Sequence, residues 1–483
     1  MGHIHPEINK MKRNVFLLLI GIFFFAAGCT MIPEYTRPEA PVPAKWPSGP
    51  AYKQTPQSVR AVEELPWRQF FTDERLQTVI ASALQNNRDL RVAALNVERA
   101  RALYRIQGAE LLPAIDASGS GNRQRKPAVL SDSGSPKTSE LYRADLGISY
   151  WEIDFFGRIR SLEKSALEQY LATEQARRSA QILLISEVAN AYLTLAADRE
   201  NLQLAQSTLT NQRAVHHLIK RRFDTGLSSE LDVRQAQTQV DAARLDVALY
   251  KQLAAQDKNA LDLLVGSSVP VDLLPEALSS VTPLPDVSPG ITSEMLLSRP
   301  DILQAENLLK AANANIGAAR AAFFPRIALT TSIGTASSDL SGLFDSGTGA
   351  WIYGAQMVMP IFDARTWPAL KASKVDKEIA VAQYEKAIQA AFREVADALA
   401  QRGTIGEQMD AQQSLVDATL ASYRLASVRY TKGIDTYLSA LVAQRLLYVS
   451  RRGLISTRLS KLANQVRLYE VLGGGGDSEM RKD

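Results

Sequence analysis

The chain has 483 residues, 46% apolar and 22% charged, and its 55 basic and 51 acidic residues leave a formal charge of +4. That composition supports a buried core, and charge spread without a basic block argues against nucleic-acid binding. A single cysteine, Cys29, excludes an internal disulfide framework and cysteine-rich metal sites.

At the amino terminus, Lys12 and Arg13 precede an apolar run from Val15 to Ala27. About 13 residues is short of the ~20 needed for a spanning helix and suits a signal-peptide core. The run ends in Ala26-Ala27-Gly28-Cys29. This resembles a bacterial lipobox, with Ala26 where leucine is usual, and cleavage would leave Cys29 N-terminal and lipid-modified. Residues 1–28 are therefore expected to be a signal peptide, Cys29 the lipidation site, and the covalent lipid the only non-protein group. The alternative is a plain signal peptide with an incidental thiol. Thr30, rather than aspartate, follows the cysteine, and by the same resemblance implies sorting to the outer membrane. Residues 29–72 read as an extended arm, because the prolines from Pro33 to Pro56 discourage helix. Trp46 and Trp67 are its expected docking points, and a disordered tether is the alternative.

An internal repeat dominates the remainder. Asp89, Ala93, Ala100, Ala109, Pro113 and Ile115 recur 212 residues later as Asp301, Ala305, Ala312, Ala321, Pro325 and Ile327. A second block recurs at a shift of 207: Glu187-Val188-Ala189 matches Glu394-Val395-Ala396, Arg222 and Gly226 match Arg429 and Gly433, and Gly266 matches Gly473. One loop between the blocks thus differs by five residues. Repeat one is placed at 73–270, a linker at 271–290, repeat two at 291–473 and a tail at 474–483.

Each repeat reads as helix, two strands, then two long helices. The first helix is expected from Asp73 to Leu111, ending before Pro113. Hairpins are expected at 113–153 and 325–361. The clearest strand alternates Tyr142, Ala144, Leu146, Ile148 and Tyr150 on an apolar face with Arg143, Asp145, Gly147 and Ser149 on a polar one. Trp351, Tyr353, Ala355 and Met357 take the apolar positions in repeat two. Long helices are expected over 160–265 and 368–472. Between Ser161 and Arg222 no proline or glycine occurs, and Leu184, Val188, Ala191, Leu195, Leu202, Ala205 and Leu209 form a coiled-coil seam interrupted at Asp198. Gly226 and Gly433 are the expected left-handed helix ends.

The alternating strands fit either a soluble sheet on a core or a membrane barrel with lipid outside and a wet lumen. Tyr142, Tyr150, Trp351 and Tyr353, as an aromatic girdle, suit the barrel, and the lipobox and duplicated hairpins favour it. Four strands fall short of the roughly eight that close a barrel, so copies must combine.

The segments PEYTRP at Pro33, WRQFFTDERL at Trp67, NNRDL at Asn86, YWEIDFFGRIR at Tyr150, LLSRPDILQAE at Leu296, FFPRIALT at Phe323 and PIFDART at Pro360 together resemble the TolC-like outer membrane factors, in their lipoprotein branch. The resemblance spans about Cys29 to Gly474. It implies an α+β membrane protein: a homotrimer with a twelve-stranded β-barrel continued by an α-helical barrel across the periplasm. It implies a passive exit duct for drugs or other toxic compounds, with a periplasmic adaptor and an inner-membrane transporter as partners. Adaptor docking is implied at Arg222, Gly226 and Leu227 and at Arg429, Gly433 and Ile434, and closed-state links at Asp232 and Tyr430. Asp435 is a candidate constricting ring in which like charges repel by ~1 kcal/mol at 4 Å in water. It is equally a helix-capping aspartate. Val442 stands where the family carries a carboxylate, so one gate charge is missing. Other readings are a duct for metal ions, a pore-free structural lipoprotein, or an anchored enzyme. No nucleophile, catalytic cluster or metal site is evident, since His216 and His217 are adjacent and point to different sides of their helix.

Overall fold

The computed structural model describes residues 30–52, 65–132, 134–286 and 292–474. Cys29 and the expected signal peptide lie outside them. The elements are α1 (Trp67–Phe70), α2 (Glu74–Asn86), α3 (Arg88–Ala109), β1 (Asp116–Lys126), β2 (Lys137–Ile153), α4 (Arg158–Asp224), α5 (Glu230–Val265), α6 (Pro300–Ala321), β3 (Arg326–Ser337), β4 (Gly349–Val358), α7 (Thr366–Thr431) and α8 (Tyr437–Val471). Adding 212 to both ends of α3 gives the ends of α6, and adding 207 to the last residue of α4 gives that of α7. The mixed helix and antiparallel-sheet composition is that of an α+β protein.

The chain divides into two compact units. The first comprises Met1–Glu39, Asn96–Thr173 and Ala305–Tyr384, and holds the sheet. Its strands pair in the order β1-β2-β3-β4, all antiparallel. Opposed residues share a face, so the register joins Tyr142, Leu146, Ile148, Ile327, Leu329, Ile333, Trp351, Tyr353 and Met357 on one apolar face. The other face carries Arg143, Asp145, Asp116, Ser118, Ser120 and Ser332. The alternation fails at one point. A bulge between Ile148 and Trp151 inserts an extra residue in β2, which flips the phase. Trp151 and Ile153, not Tyr150, therefore continue the apolar face opposite Leu329 and Ile327. The two hairpins are unequal. The row of Thr335 and Gly349, at the top of the second, meets Ala144 and Gly119, and the first continues from Gly119 to Lys126. Those seven further rows carry it ~23 Å past the second at this end, and the second passes it by six rows, Tyr353 to Val358, at the other.

The amino-terminal arm is docked within this unit. Pro33 accepts a hydrogen bond from the Asn313 amide at 2.8 Å, and Met31 one from Arg320 at 3.2 Å. Glu306, whose side chain is almost fully buried, receives Tyr35 and Arg37, each at 3.1 Å, and pairs with Lys310. Burial opposes ionisation of Glu306, but Arg37 and Lys310 outweigh it and hold its carboxyl below the usual range.

The second unit comprises Ala40–Leu95, Glu174–Gln304 and Glu385–Asp483. The seam of α4 is buried at Leu184, Val188, Leu195 and Ala205. α2 buries Leu76, Val79, Ile80 and Ala83, one helical stripe, and Phe70 and Phe71 pack on Tyr469 with ring centroids 4.6 and 5.6 Å apart. Trp46 stacks on Phe392 at 5.3 Å. The linker lies along these helices: Pro275 accepts from Arg199 at 2.7 Å and Leu284 from Gln465 at 3.1 Å.

The continuous first helix expected from Asp73 to Leu111 is broken at Asn87, which is extended (φ −61°, ψ 132°). Its side chain accepts from the Leu90 amide and donates to the Leu264 carbonyl, both at 2.8 Å. In repeat two, Arg299 occupies the same position and donates to Val471, the equivalent of Leu264, at 2.6 Å. The duplicated contact survives with a different side chain.

Asp198, the polar break in the seam, faces Asp257 on α5. Burial and the Asp198 charge push the Asp257 carboxyl up to about 6, and burial raises Asp198 as well. Oδ2 of Asp257 is buried with no hydrogen-bond partner, so nothing there compensates the ionised form and burial favours the protonated one. A raised carboxylate pKa contributes stability below its unfolded value, which is lost as pH rises through about 6. Asp257→Asn is accordingly expected to raise the melting temperature at pH 8 and flatten its dependence between pH 5 and 7. An unchanged melting profile would show that the Asp257 carboxyl is not raised.

Candidate functional site

The residues singled out at the inter-helix turns occupy two equivalent structures in the second unit. α4 ends at Gly226 (φ 75°) and α7 at Gly433 (φ 72°), conformations in which a side chain would be strained. Leu227 donates its amide to the Arg222 carbonyl at 2.7 Å, and Ile434 to that of Arg429 at 2.9 Å. Both are Schellman closures, and both leave an exposed apolar residue at the turn, Leu227 and Ile434.

The next helices start with one device in two polarities. In α5, Ser229 and Asp232 form a capping box, and Ser228 also donates to Asp232 at 3.0 Å. In α8, Asp435 takes the place of Ser228 and Ser439 that of Asp232, so Ser439 donates to Asp435 at 2.8 Å. The hydroxyl and the carboxylate have exchanged places. Each carboxylate also answers the arginine that ends the preceding helix. Burial works against ionisation of Asp232, but Ser229, Ser228 and the Arg222 charge more than offset it. Asp435 is held low by Ser439, the Thr436 amide and Arg429, whose Nε lies 3.4 Å away. Asp435 thus engages groups of its own chain from a position just before the helix N-cap, which is Thr436, itself without a side-chain bond.

Tyr430 joins the two turns. Its ring lies 5.2 Å from the Arg222 guanidinium and 5.6 Å from the ring of Tyr437. Tyr437 packs in a cluster with Ile219, Ala236 and Leu441, against which Val215, Val233 and Tyr430 rest. Burial, with Tyr430 and Asp232 nearby, pushes the Tyr437 hydroxyl up to about 12. Arg222, Asp232, Tyr430 and Tyr437 therefore form one group and Arg429 with Asp435 another. Tyr437, Ser228 and Ser439 escaped the sequence reading. The 207-residue shift that aligns Ser229 with Thr436 was the available signal.

On the sheet, Trp351 and Tyr353 are exposed and stacked with centroids 6.1 Å apart. Tyr142 lies on the same face, six rows toward the loops from Ile148, which pairs with the row of Tyr353. The expected girdle residue Tyr150 sits in the bulge, off that face. Among the described residues no cluster of three or more His, Cys, Asp or Glu has metal-site spacing.

The chain matches the family model for outer membrane efflux proteins twice, over residues 79–267 and 291–474. The chain belongs to the outer membrane efflux protein family. The two matches are the two repeats, and the family places the protein in the outer membrane. It is 50% identical to the probable efflux pump outer membrane protein TtgC of Pseudomonas putida, over 96% of both chains. It is 40% identical to the outer membrane protein OprJ of Pseudomonas aeruginosa, over 97% of both. Among solved structures, the open state of the MtrE outer membrane channel of Neisseria gonorrhoeae superposes with a TM-score of 0.82 at 37% identity, covering 92% of this efflux protein and 98% of MtrE. A membrane protein from Pseudomonas aeruginosa gives 0.87 at 39% identity, covering 94% and 100%. The observed fold class and the family agree with the resemblance drawn from sequence.

Proposed function

We propose that this efflux protein works as a homotrimeric, passive exit duct of a tripartite pump. The observation that carries the reading is the sheet: among the described residues, four strands with one apolar face and two unpaired edges, too few to close alone. Three copies supply twelve strands. The polar face then lines a wet lumen, and export needs no chemistry at the wall. Relatives named as toluene, solvent and antibiotic efflux pump proteins, at 49–50% identity, favour small apolar toxic compounds over metal ions as cargo. The purified protein is expected to conduct in planar bilayers; a folded trimer that stays silent would overturn the duct.

The paired turns serve as the docking points of a periplasmic adaptor, which links the duct to an inner-membrane transporter. Their exposed Leu227 and Ile434 offer apolar contact on a rigid Schellman frame. The Arg222–Tyr430–Tyr437 group ties one turn to the other and acts as the closing link at the tip, with Asp232 and Asp435 fixing the two arginines. Arg222→Ala removes the cation over the Tyr430 ring, an interaction of ~0.5–2 kcal/mol, and is expected to raise open probability in bilayers several-fold. Conductance unchanged in both Arg222→Ala and Tyr430→Ala would remove these residues from the gate.

The lipid on Cys29 is a secondary anchor, because the arm that follows is already held by Asn313, Arg320 and Glu306. Exported Cys29→Ser protein should lack the acyl chains by mass spectrometry and still assemble.

A further inference from the structure

The apolar face of the sheet has a definite height. From the row of Ile153 and Ile327 to the row of Tyr142 and Ser337 it runs ten residues along β3, ~33 Å of strand. At the ~40° tilt usual for membrane barrels this stands ~25 Å tall, the height of the band that such barrels show to lipid. The helices join at the Ile327 end, where β1 and β3 begin and β2 and β4 finish. Tyr142 therefore marks the opposite, outer rim of the band.

The first hairpin continues past this rim, and its chemistry changes there. On the face of Tyr142, Arg123 lies two rows further out and Arg125 four, ~5 and ~10 Å higher at that tilt. Polar headgroups occupy the ~5–8 Å outside the hydrocarbon on each side, and flexible stems let both guanidinium groups settle at that depth. The β1–β2 ladder is unbroken through this stretch, which keeps both arginines on the lipid side. Between the rows of Gly121 and Lys126, four cations, Arg123, Arg125, Lys126 and Lys137, face one carboxylate, Glu140. The tip of the second hairpin has the opposite sign, with Asp339 and Asp345 and no basic residue from Ser337 to Gly349. Lys126 and Lys137 stand directly opposite each other, a pairing of like charges that costs energy without an anion beside it. Glu140 orients Arg123 without neutralising the group. Its carboxylate is 3.0 Å from Nε and accepts from the Tyr142 hydroxyl at 3.1 Å, while the Arg123 side chain stays 74% exposed. Arg125, Lys126 and Lys137 are exposed, and none of the three has an ion pair among the described residues.

We propose that this rim binds the phosphate groups of lipid headgroups in the outer leaflet, with Arg123 and Arg125 as the lipid-facing contacts and Lys126 and Lys137 closing the site above them. It rests on the barrel reading above and adds a ligand at its outer rim. Guanidinium forks take phosphate oxygens two at a time, and two of them ~7 Å apart on one strand face suit a headgroup that carries more than one phosphate. The place of the cations selects a lipid over a phosphate free in water. Only a lipid has acyl chains to lay along the apolar band below Tyr142 while its headgroup meets the arginines.

Lipid A, an acylated diglucosamine with two phosphates, is the probe. The purified protein, freed of co-purified lipid in a non-ionic detergent, is titrated with lipid A, with the same lipid dephosphorylated, and with inorganic pyrophosphate. Native mass spectrometry counts the copies and the retained ligand. Lipid A is expected to stay on the trimer, and its affinity to fall about tenfold or more in Arg123→Gln/Arg125→Gln, the scale of losing a hydrogen bond to a charged group. Arg234→Gln/Arg244→Gln, which removes two exposed arginines from α5, should bind as the parent does. Equal retention of the dephosphorylated lipid would overturn the proposal, as would undiminished binding to Arg123→Gln/Arg125→Gln, and in either case a conducting trimer leaves the duct standing. Pyrophosphate held as tightly as lipid A would make the rim a site for free phosphate and not for lipid. A trimer lost only in Arg123→Gln/Arg125→Gln would assign the two arginines to a neighbouring copy. A parent protein that is monomeric would remove the barrel and the lipid site together.

Discussion

Gly147→Val and Gly334→Val are each expected to abolish assembly, seen as loss of the oligomer band on unheated denaturing gels and of protein from the outer-membrane fraction. Both glycines lie on the polar face at the contact between β2 and β3, opposite Ser332 and Asp145. A Cβ at Gly147 would sit 2.1 Å from the Thr331 carbonyl oxygen, and one at Gly334 2.1 Å from that of Ala144. The obstructing atoms are backbone, so relief requires parting the strands, which strips a ladder of hydrogen bonds in a place where water cannot replace them. Thr335→Val, on the same strand as Gly334, provides the comparison, because it keeps the size of a side chain that the β2–β3 contact already accommodates. Equal behaviour of the three variants would show that close approach is not the constraint.

Arg299→Met should lower stability by ~1.5–3 kcal/mol, the range for losing hydrogen bonds to charged groups, since the carboxylates left behind are part-exposed. Arg299 is nine-tenths buried; it holds Asp301 at 2.8 Å and Glu394 at 3.1 Å and donates to the Val471 carbonyl at 2.6 Å. The methionine leaves two carboxylates without this cation, although Glu394 keeps Arg467 at 3.6 Å. Arg299→Asn installs the residue of repeat one, where Asn87 makes the corresponding bond to Leu264. It is expected to fall between parent and methionine in thermal unfolding. If the asparagine variant melts no higher than the methionine variant, the carbonyl contact carries little of the effect.

Much of the fold was legible because duplication left coincident residues at fixed shifts, and the ends of the long helices follow those shifts to within one residue. The alternation over Leu141–Ile148 was equally plain, since each face has its own chemistry. It misled at Tyr150 because a bulge leaves no mark in composition: Ser149-Tyr150 continues the pattern while the chain steps out of phase. The break at Asn87 was hidden for a related reason. An asparagine is tolerated inside helices, and what ends this one is a bond to Leu264, 177 residues away. At the turns, the glycines announced themselves by residue type, being the residue that best ends a helix in the left-handed conformation. Tyr437 did not, because its partners Ile219 and Ala236 lie some 200 residues distant in sequence. The short-range link between Arg429 and Asp435 was within reach of a closer reading of the turn.

The offset of the two hairpins bears on assembly fidelity. A duplicated chain with interchangeable halves would invite errors, with the second hairpin of one copy taking the place of the first and closing rings of the wrong size or phase. Here the first ladder passes the second by seven rows at the loop end, Ser120 to Lys126, and the second passes the first by six at the other end, Tyr353 to Val358. A swapped junction would change that offset and leave amides and carbonyls of an edge without partners, at several kcal/mol apiece wherever hydrocarbon surrounds them. The offset between the halves thus makes the two edges of the sheet geometrically distinct before any side chain is consulted.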